Sequence, residues 1–143
     1  MKSLTMRLTI AAAAFVAAAG LASAQTMEAK IPFAFHANGK VLAPGTYRVR
    51  MTRGSGIPLL FITDRNTGNR TLATGRGAED PKAEWVASGS PVLHFECGAG
   101  RCTLSELWMG TPGEPVYRIP TPNLGKNEYR IVAEVVMHRV AGD

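Results

Sequence analysis

Cysteine is nearly absent from this 143-residue chain. Cys97 and Cys102 are its only two, too few for a four-cysteine zinc site or a disulfide-dense scaffold. Aspartate is scarce as well: Asp64 opens a turn, Asp80 stands before a proline, and Asp143 ends the chain. The first two positions are those where the carboxylate serves its own backbone. Histidine occurs three times, as His36, His94 and His138, never in a paired spacing such as H-x-H. A metal triad would have to be assembled from three separate strands. The glycine runs at 53–56 and 74–77 lack the lysine and helix context of a phosphate loop. Internal repeats, heptads and low-complexity tracts are missing after residue 24. No apolar run reaches the roughly 20 residues a membrane span needs.

The uncharged run that is present is informative. Leu8 to Leu21 follows Lys2 and Arg7 and ends in Ala22-Ser23-Ala24 before Gln25. A basic start, an apolar middle and small residues at −3 and −1 form a secretory signal pattern. The expectation is a cleaved signal helix at 1–24 and an exported domain at 25–143, in the periplasm or outside the cell. No cysteine stands at the cleavage point to take a lipid anchor, and no transmembrane anchor is expected. Loss of Lys2 and Arg7 lowers the net charge from +5 to +3, which gives no case for a nucleic-acid partner.

What remains reads as about eight short strands separated by turn residues. Ile31, Phe33 and Phe35 alternate in IPFAFHA, and Tyr47, Val49 and Met51 alternate with Arg48 and Arg50 in TYRVRMT. IPLLFIT (57–63) is continuously apolar, the pattern of a strand covered on both faces. It forms a hairpin with 70–74 across DRNTGN. Residues 81–88 can make a two-turn helix carrying Trp85, with Asp80 as cap, Pro81 as first helical residue and Gly89 as stop. PVLHFEC and CTLSELWM are two further strands. The last is EYRIVAEVVMHRV, with Tyr129, Ile131, Ala133, Val135 and Met137 on one face. The fold class is all-β, a small single-domain antiparallel barrel or sandwich. The strongly apolar first and last strands favour barrel-like closure, which leaves no sticky edge.

The stretch IPFAFHANGKVLAPGTYRVR resembles the opening of short exported proteins of soil bacteria, which carry a pattern close to I-P-F-x-F-x-x-x-G-K-x-L-P-A-G-x-Y. Ile31, Pro32, Phe33, Phe35, Gly39, Lys40, Leu42, Gly45 and Tyr47 match, and Ala43-Pro44 inverts the usual order. LHFE followed by LSELW is similar to the second half of that group. The resemblance implies architecture, strand then turn then strand, and brings no activity, cofactor or site residue with it.

Two cysteines around Gly98-Ala99-Gly100-Arg101 in an exported chain point to a disulfide. A hairpin places them opposite each other, with Cα atoms roughly 4.5–5.5 Å apart. Redox dithiols use C-x-x-C at a helix start, which is not this spacing. In unbroken register Ser105 opposes His94, a pair readable as nucleophile and base but lacking a third partner. The same register puts Glu96 and Glu106 on opposite faces, unsuited to flanking one glycosidic bond. It also sets Glu106 on the apolar face of Phe95 and Leu104, so a bulge near Ser105 is expected to reset it.

Charge is unevenly spread. Residues 48–76 carry six arginines against Asp64 alone, a net +5, while 77–143 carry a net −3. Arg48, Arg50 and Arg53 are the candidate anion-binding residues, facing an envelope polyanion such as a glycolipid or acidic polysaccharide. The alternative is a solvated face. The proline-rich segment 110–127, preceded by Trp108 and containing Tyr117, is the candidate recognition loop, or else a rigid edge connection. The expected function is a non-catalytic binding or structural module of the envelope or extracellular space, taking a polyanion or a small apolar ligand and no cofactor. The rival is a small hydrolytic or metal-dependent enzyme built on His36, His94 and His138.

Overall fold

Alternating apolar residues build two sheets here, and the chain changes sheet at both ends. The computed structural model describes residues 25–52, 56–121 and 131–140. The expected signal helix, Arg53 and Tyr129 lie outside the described residues. Among the described residues, twelve strands and one short helix occur in the order β1 (Thr26–Ile31), β2 (Phe35–Ala37), β3 (Lys40–Leu42), β4 (Gly45–Thr52), β5 (Leu59–Asp64), β6 (Arg70–Thr74), β7 (Arg76–Glu79), α1 (Ala83–Ser88), β8 (Val92–Gly98), β9 (Arg101–Trp108), β10 (Val116–Arg118), β11 (Ile131–Val136) and β12 (His138–Arg139). A five-stranded sheet runs β12-β1-β4-β5-β6. A seven-stranded sheet runs β11-β8-β9-β10-β7, with the β2–β3 hairpin attached through a parallel bridge from β2 to β9. The two sheets form a β-sandwich, the second of the two architectures expected.

The IPFAFHA alternation spans a corner rather than one strand. Ile31 ends β1 in the five-stranded sheet and Phe35 begins β2 in the other. Pro32 has no N–H to donate to a ladder, so pairing stops there. The last strand divides likewise: β11 pairs with β8, Met137 donates its N–H to Pro91 O (2.8 Å), and β12 pairs with β1. Both terminal segments thus tie the sheets together along one side. Ile131, expected in the buried face, is exposed at the start of this edge strand; Val135 and Met137 are buried.

Met27, Ala29, Tyr47, Val49, Leu60 and Ile62 from the five-stranded sheet meet Phe35, Leu93, Phe95, Leu104 and Leu107 from the other, all 0–1 % exposed. Phe35 packs edge-on against both Tyr47 (5.3 Å) and Phe95 (5.5 Å), the favoured aromatic geometry. A smaller cluster of Trp85, Val92, Trp108 and Val116 lies outside the seven-stranded sheet, beneath α1. That helix starts two residues later than expected. Lys82 is its N-cap with no side-chain capping bond, while Gly89 ends it in the left-handed conformation (φ 66°) as anticipated.

The two hairpins that matter most turn at Asn38-Gly39 and Ala99-Gly100. Positive φ at both central residues (50° and 74°; 53° and 74°) matches the right-handed twist of the flanking strands. The second loop is therefore two residues long rather than four. It brings Cys97 and Cys102 into register, Cα atoms 4.0 Å apart, and they form the disulfide.

Candidate functional site

The outer face of the five-stranded sheet holds the cationic residues. In β4 the side chains of Arg48 and Arg50 are exposed while Tyr47 and Val49 are buried, as alternation requires. Antiparallel register extends the face across four strands, β1, β4, β5 and β6. One row reads Glu28, Arg48, Thr63, Arg70; the next reads Thr26, Arg50, Phe61, Leu72. Thr26, Arg48, Arg50, Thr52, Phe61, Thr63 and Arg70 line one shallow concavity of about 500 Å³.

Among the described residues its arginines outnumber the carboxylates beside them. Glu28, the carboxylate nearest in register, is taken by Arg65, whose Nη1 lies 3.0 and 3.2 Å from its two oxygens. Among the described residues Arg48, Arg50 and Arg70 make no ion pair. The guanidinium carbon of Arg70 sits 5.4 Å from the centre of the Phe61 ring, a cation–π contact. Of the three candidate residues, Arg48 and Arg50 fall in this site. Arg70 and Phe61 were not anticipated. Continuing the 57–74 hairpin register, which sets Thr63 opposite Arg70, was the available signal. The continuous apolar run of β5 argued for a strand covered on both faces, but Leu59 and Phe61 on its outer side are only half-buried.

The recognition role expected of Trp108 and Tyr117 is corrected by their burial. Trp108 is 1 % exposed and Tyr117 is 4 %, so neither offers a surface to a partner. The segment is not one irregular loop: Val116–Arg118 forms β10 between β9 and β7, which pulls Tyr117 into the core. The described end of the segment, Ile119 to Thr121, lines a second concavity of about 860 Å³ together with Ile57, Pro58 and Arg76.

The chemistry-bearing residues of the seven-stranded sheet are packed differently. A bulge lies between His94 and Phe95, so His94 pairs with Glu106 and Phe95 with Leu104. Ser105 is the extra residue, and its hydroxyl donates to His94 O (3.1 Å) instead of facing the imidazole. The bulge moves Glu106 outward, as anticipated, and returns Leu107 to the core. His94 is buried beneath α1, its Nδ1 3.4 Å from Glu134 Oε1. Trp85 Nε1 donates to the other oxygen of Glu134 (3.3 Å), and Lys82 Nζ lies 3.6 Å from Oε1. This set fastens the helix to the sheet. His36 pairs with Val41 and Thr103, and His138 stands opposite Glu28 in the other sheet. Among the described residues no three His, Cys, Asp or Glu side chains form a group able to hold a metal ion. No helix among them is long and apolar enough to cross a membrane.

Comparison with protein-family models, with curated proteins and with solved structures finds no match.

Proposed function

We propose that this protein is an exported, non-catalytic β-sandwich that binds an acidic component of the envelope or extracellular space on the outer face of its five-stranded sheet. The observation that carries the reading is the concavity lined by Arg48, Arg50 and Arg70, which make no ion pair among the described residues. Unpaired cations on one wall raise the local concentration of anionic partners and orient them. The signal-like residues 1–24 support export, and the Cys97–Cys102 disulfide fits an oxidising compartment. The rival enzyme reading has no converging histidines in its favour.

The test is binding of the full chain to a soluble acidic polysaccharide across a range of salt concentrations. Affinity is expected to fall steeply as salt rises. Each of Arg48→Ala, Arg50→Ala and Arg70→Ala should weaken it by roughly ten-fold, the scale of one hydrogen bond to a charged group. Salt-independent binding, or full binding by the triple variant, refutes the reading.

A further inference from the structure

The acidic partner can be narrowed from the arrangement of the three arginines. Arg48 and Arg70 stand on either side of Thr63 in a single row across β4, β5 and β6. Neighbouring strands lie about 4.8 Å apart, so Arg48 and Arg70 flank Thr63 on the same outer face. Arg50 lines the same concavity from the adjacent row. The Arg70 guanidinium carbon lies 5.4 Å from the centre of the Phe61 ring, and a cation–π contact leaves N–H donors of the guanidinium for an anion.

We infer that this concavity is a site for a phosphate monoester group, with the apolar part of the ligand lying along Phe61 and Leu72. The inference rests on the acidic-partner reading and narrows it. A carboxylate offers two oxygens in one plane and is saturated by a single guanidinium fork. Three arginines and a threonine hydroxyl lining one concavity offer more donors than one carboxylate can accept. A phosphate monoester supplies three terminal oxygens and about −1.5 to −2 charges at neutral pH. A sulfate ester has the same shape with only one charge. Beside the cationic row, Leu72 is 43 % exposed and pairs with the half-buried Phe61, so the site has an apolar flank as well as a cationic end.

Phenyl phosphate, phenyl sulfate and benzoate carry the same ring on three different anions and are the probes. Titrated into the full chain, phenyl phosphate should bind about ten-fold more tightly than benzoate, one additional charge-assisted contact being the difference. Its affinity should rise between pH 5 and 8 as the second proton leaves, with pKa about 6, while phenyl sulfate stays flat. Glu28, Arg65 and His138 are the other charged or titratable groups beside the site.

Arg70→Ala should abolish the preference for phosphate, and Arg70→Lys should not restore it, because an ammonium is a point charge without a fork. Phe61→Leu should weaken phenyl phosphate binding about two- to five-fold, the scale of an exposed cation–π contact. Benzoate binding as tightly as phenyl phosphate, or a phosphate affinity indifferent to pH, overturns the inference. If the acidic polysaccharide still binds through the arginines in that case, the broader reading stands; if it does not, both fall. Vesicles containing phosphatidic acid distinguish the source. Co-sedimentation that is lost in Arg70→Ala identifies a lipid headgroup, and binding to phenyl phosphate without co-sedimentation identifies a free phosphate ester. Either result carries the phosphate assignment.

Discussion

Tyr47 joins the β2–β3 hairpin to the five-stranded sheet. Its ring meets Phe35 edge-on, and its hydroxyl donates to the backbone carbonyl of Ala43. Burial, and then the nearby Asp64 carboxylate, raise its phenol above the ordinary value of 10.0, since both disfavour the phenolate. Folding thus favours the neutral form. The associated stability is complete below pH about 10 and is lost as pH rises through the raised folded value. Thermal unfolding midpoints should therefore fall in strong alkali, and Tyr47→Phe should blunt that fall while costing about 1 kcal/mol at neutral pH for the lost hydrogen bond. An alkaline fall of the same size in Tyr47→Phe would show that other groups cause it. The disulfide makes a separate demand at this scale. Cys97 and Cys102 close a ring of six residues, worth about 2 kcal/mol in the chain-entropy model. Replacing both by Ser should lower the unfolding free energy by that amount, read as a lower urea midpoint, with the fold intact.

At the scale of the element, α1 has no stability of its own. Six residues lie below the length at which a helix persists alone, so its persistence depends on Trp85. That side chain is 3 % exposed, packs on Val92, Trp108 and Val116, and bonds to Glu134. Trp85→Ala should cost about 3–5 kcal/mol and open 80–90 to protease, whereas Val86→Ala, at an exposed position, should leave cleavage unchanged. Equal cleavage of the two variants would mean that the helix is held by something else. Elements differ in how plainly the sequence announces them. The bulge at Ser105 was legible because an unbroken ladder put the carboxylate of Glu106 among core residues, a conflict one extra residue relieves. The division of 31–37 between two sheets was not, because a corner preserves the period-two pattern on both sides of Pro32. The burial of Tyr117 was hidden by its prolines. Pro115 and Pro120 flank a three-residue strand too short to show alternation, and only pairing with β9 and β7 defines it. In the site, Arg48 and Arg50 share one strand and their common face follows from local periodicity. Arg70 joins them only through the register of a second and third strand.

For the molecule as a whole, chain order becomes charge order. β4 to β6 supply the outer arginines of one sheet, while β8, β9 and β11 place His94, Glu106 and Glu134 on the outer side of the other. The acids there are largely engaged: Glu134 with Lys82, and Glu79 and Glu106 with Arg118. The arginines opposite have no such partners among the described residues. An acidic surface should therefore meet this protein in one orientation, with the five-stranded sheet against it and α1 turned away. Arginine-directed labelling reads that orientation directly. With a saturating acidic polysaccharide, Arg48, Arg50 and Arg70 should be protected from modification, while Arg101 at the disulfide hairpin and Arg118 on the opposite sheet keep their free rates. Arg118 serves as the internal control, because its ion pairs slow labelling equally with and without ligand. Added salt should remove the protection in parallel with binding, since exposed charges are screened beyond a Debye length of about 8 Å at physiological ionic strength. Uniform protection of all five arginines would mean binding without orientation, and protection of Arg118 alone would place the partner on the wrong sheet.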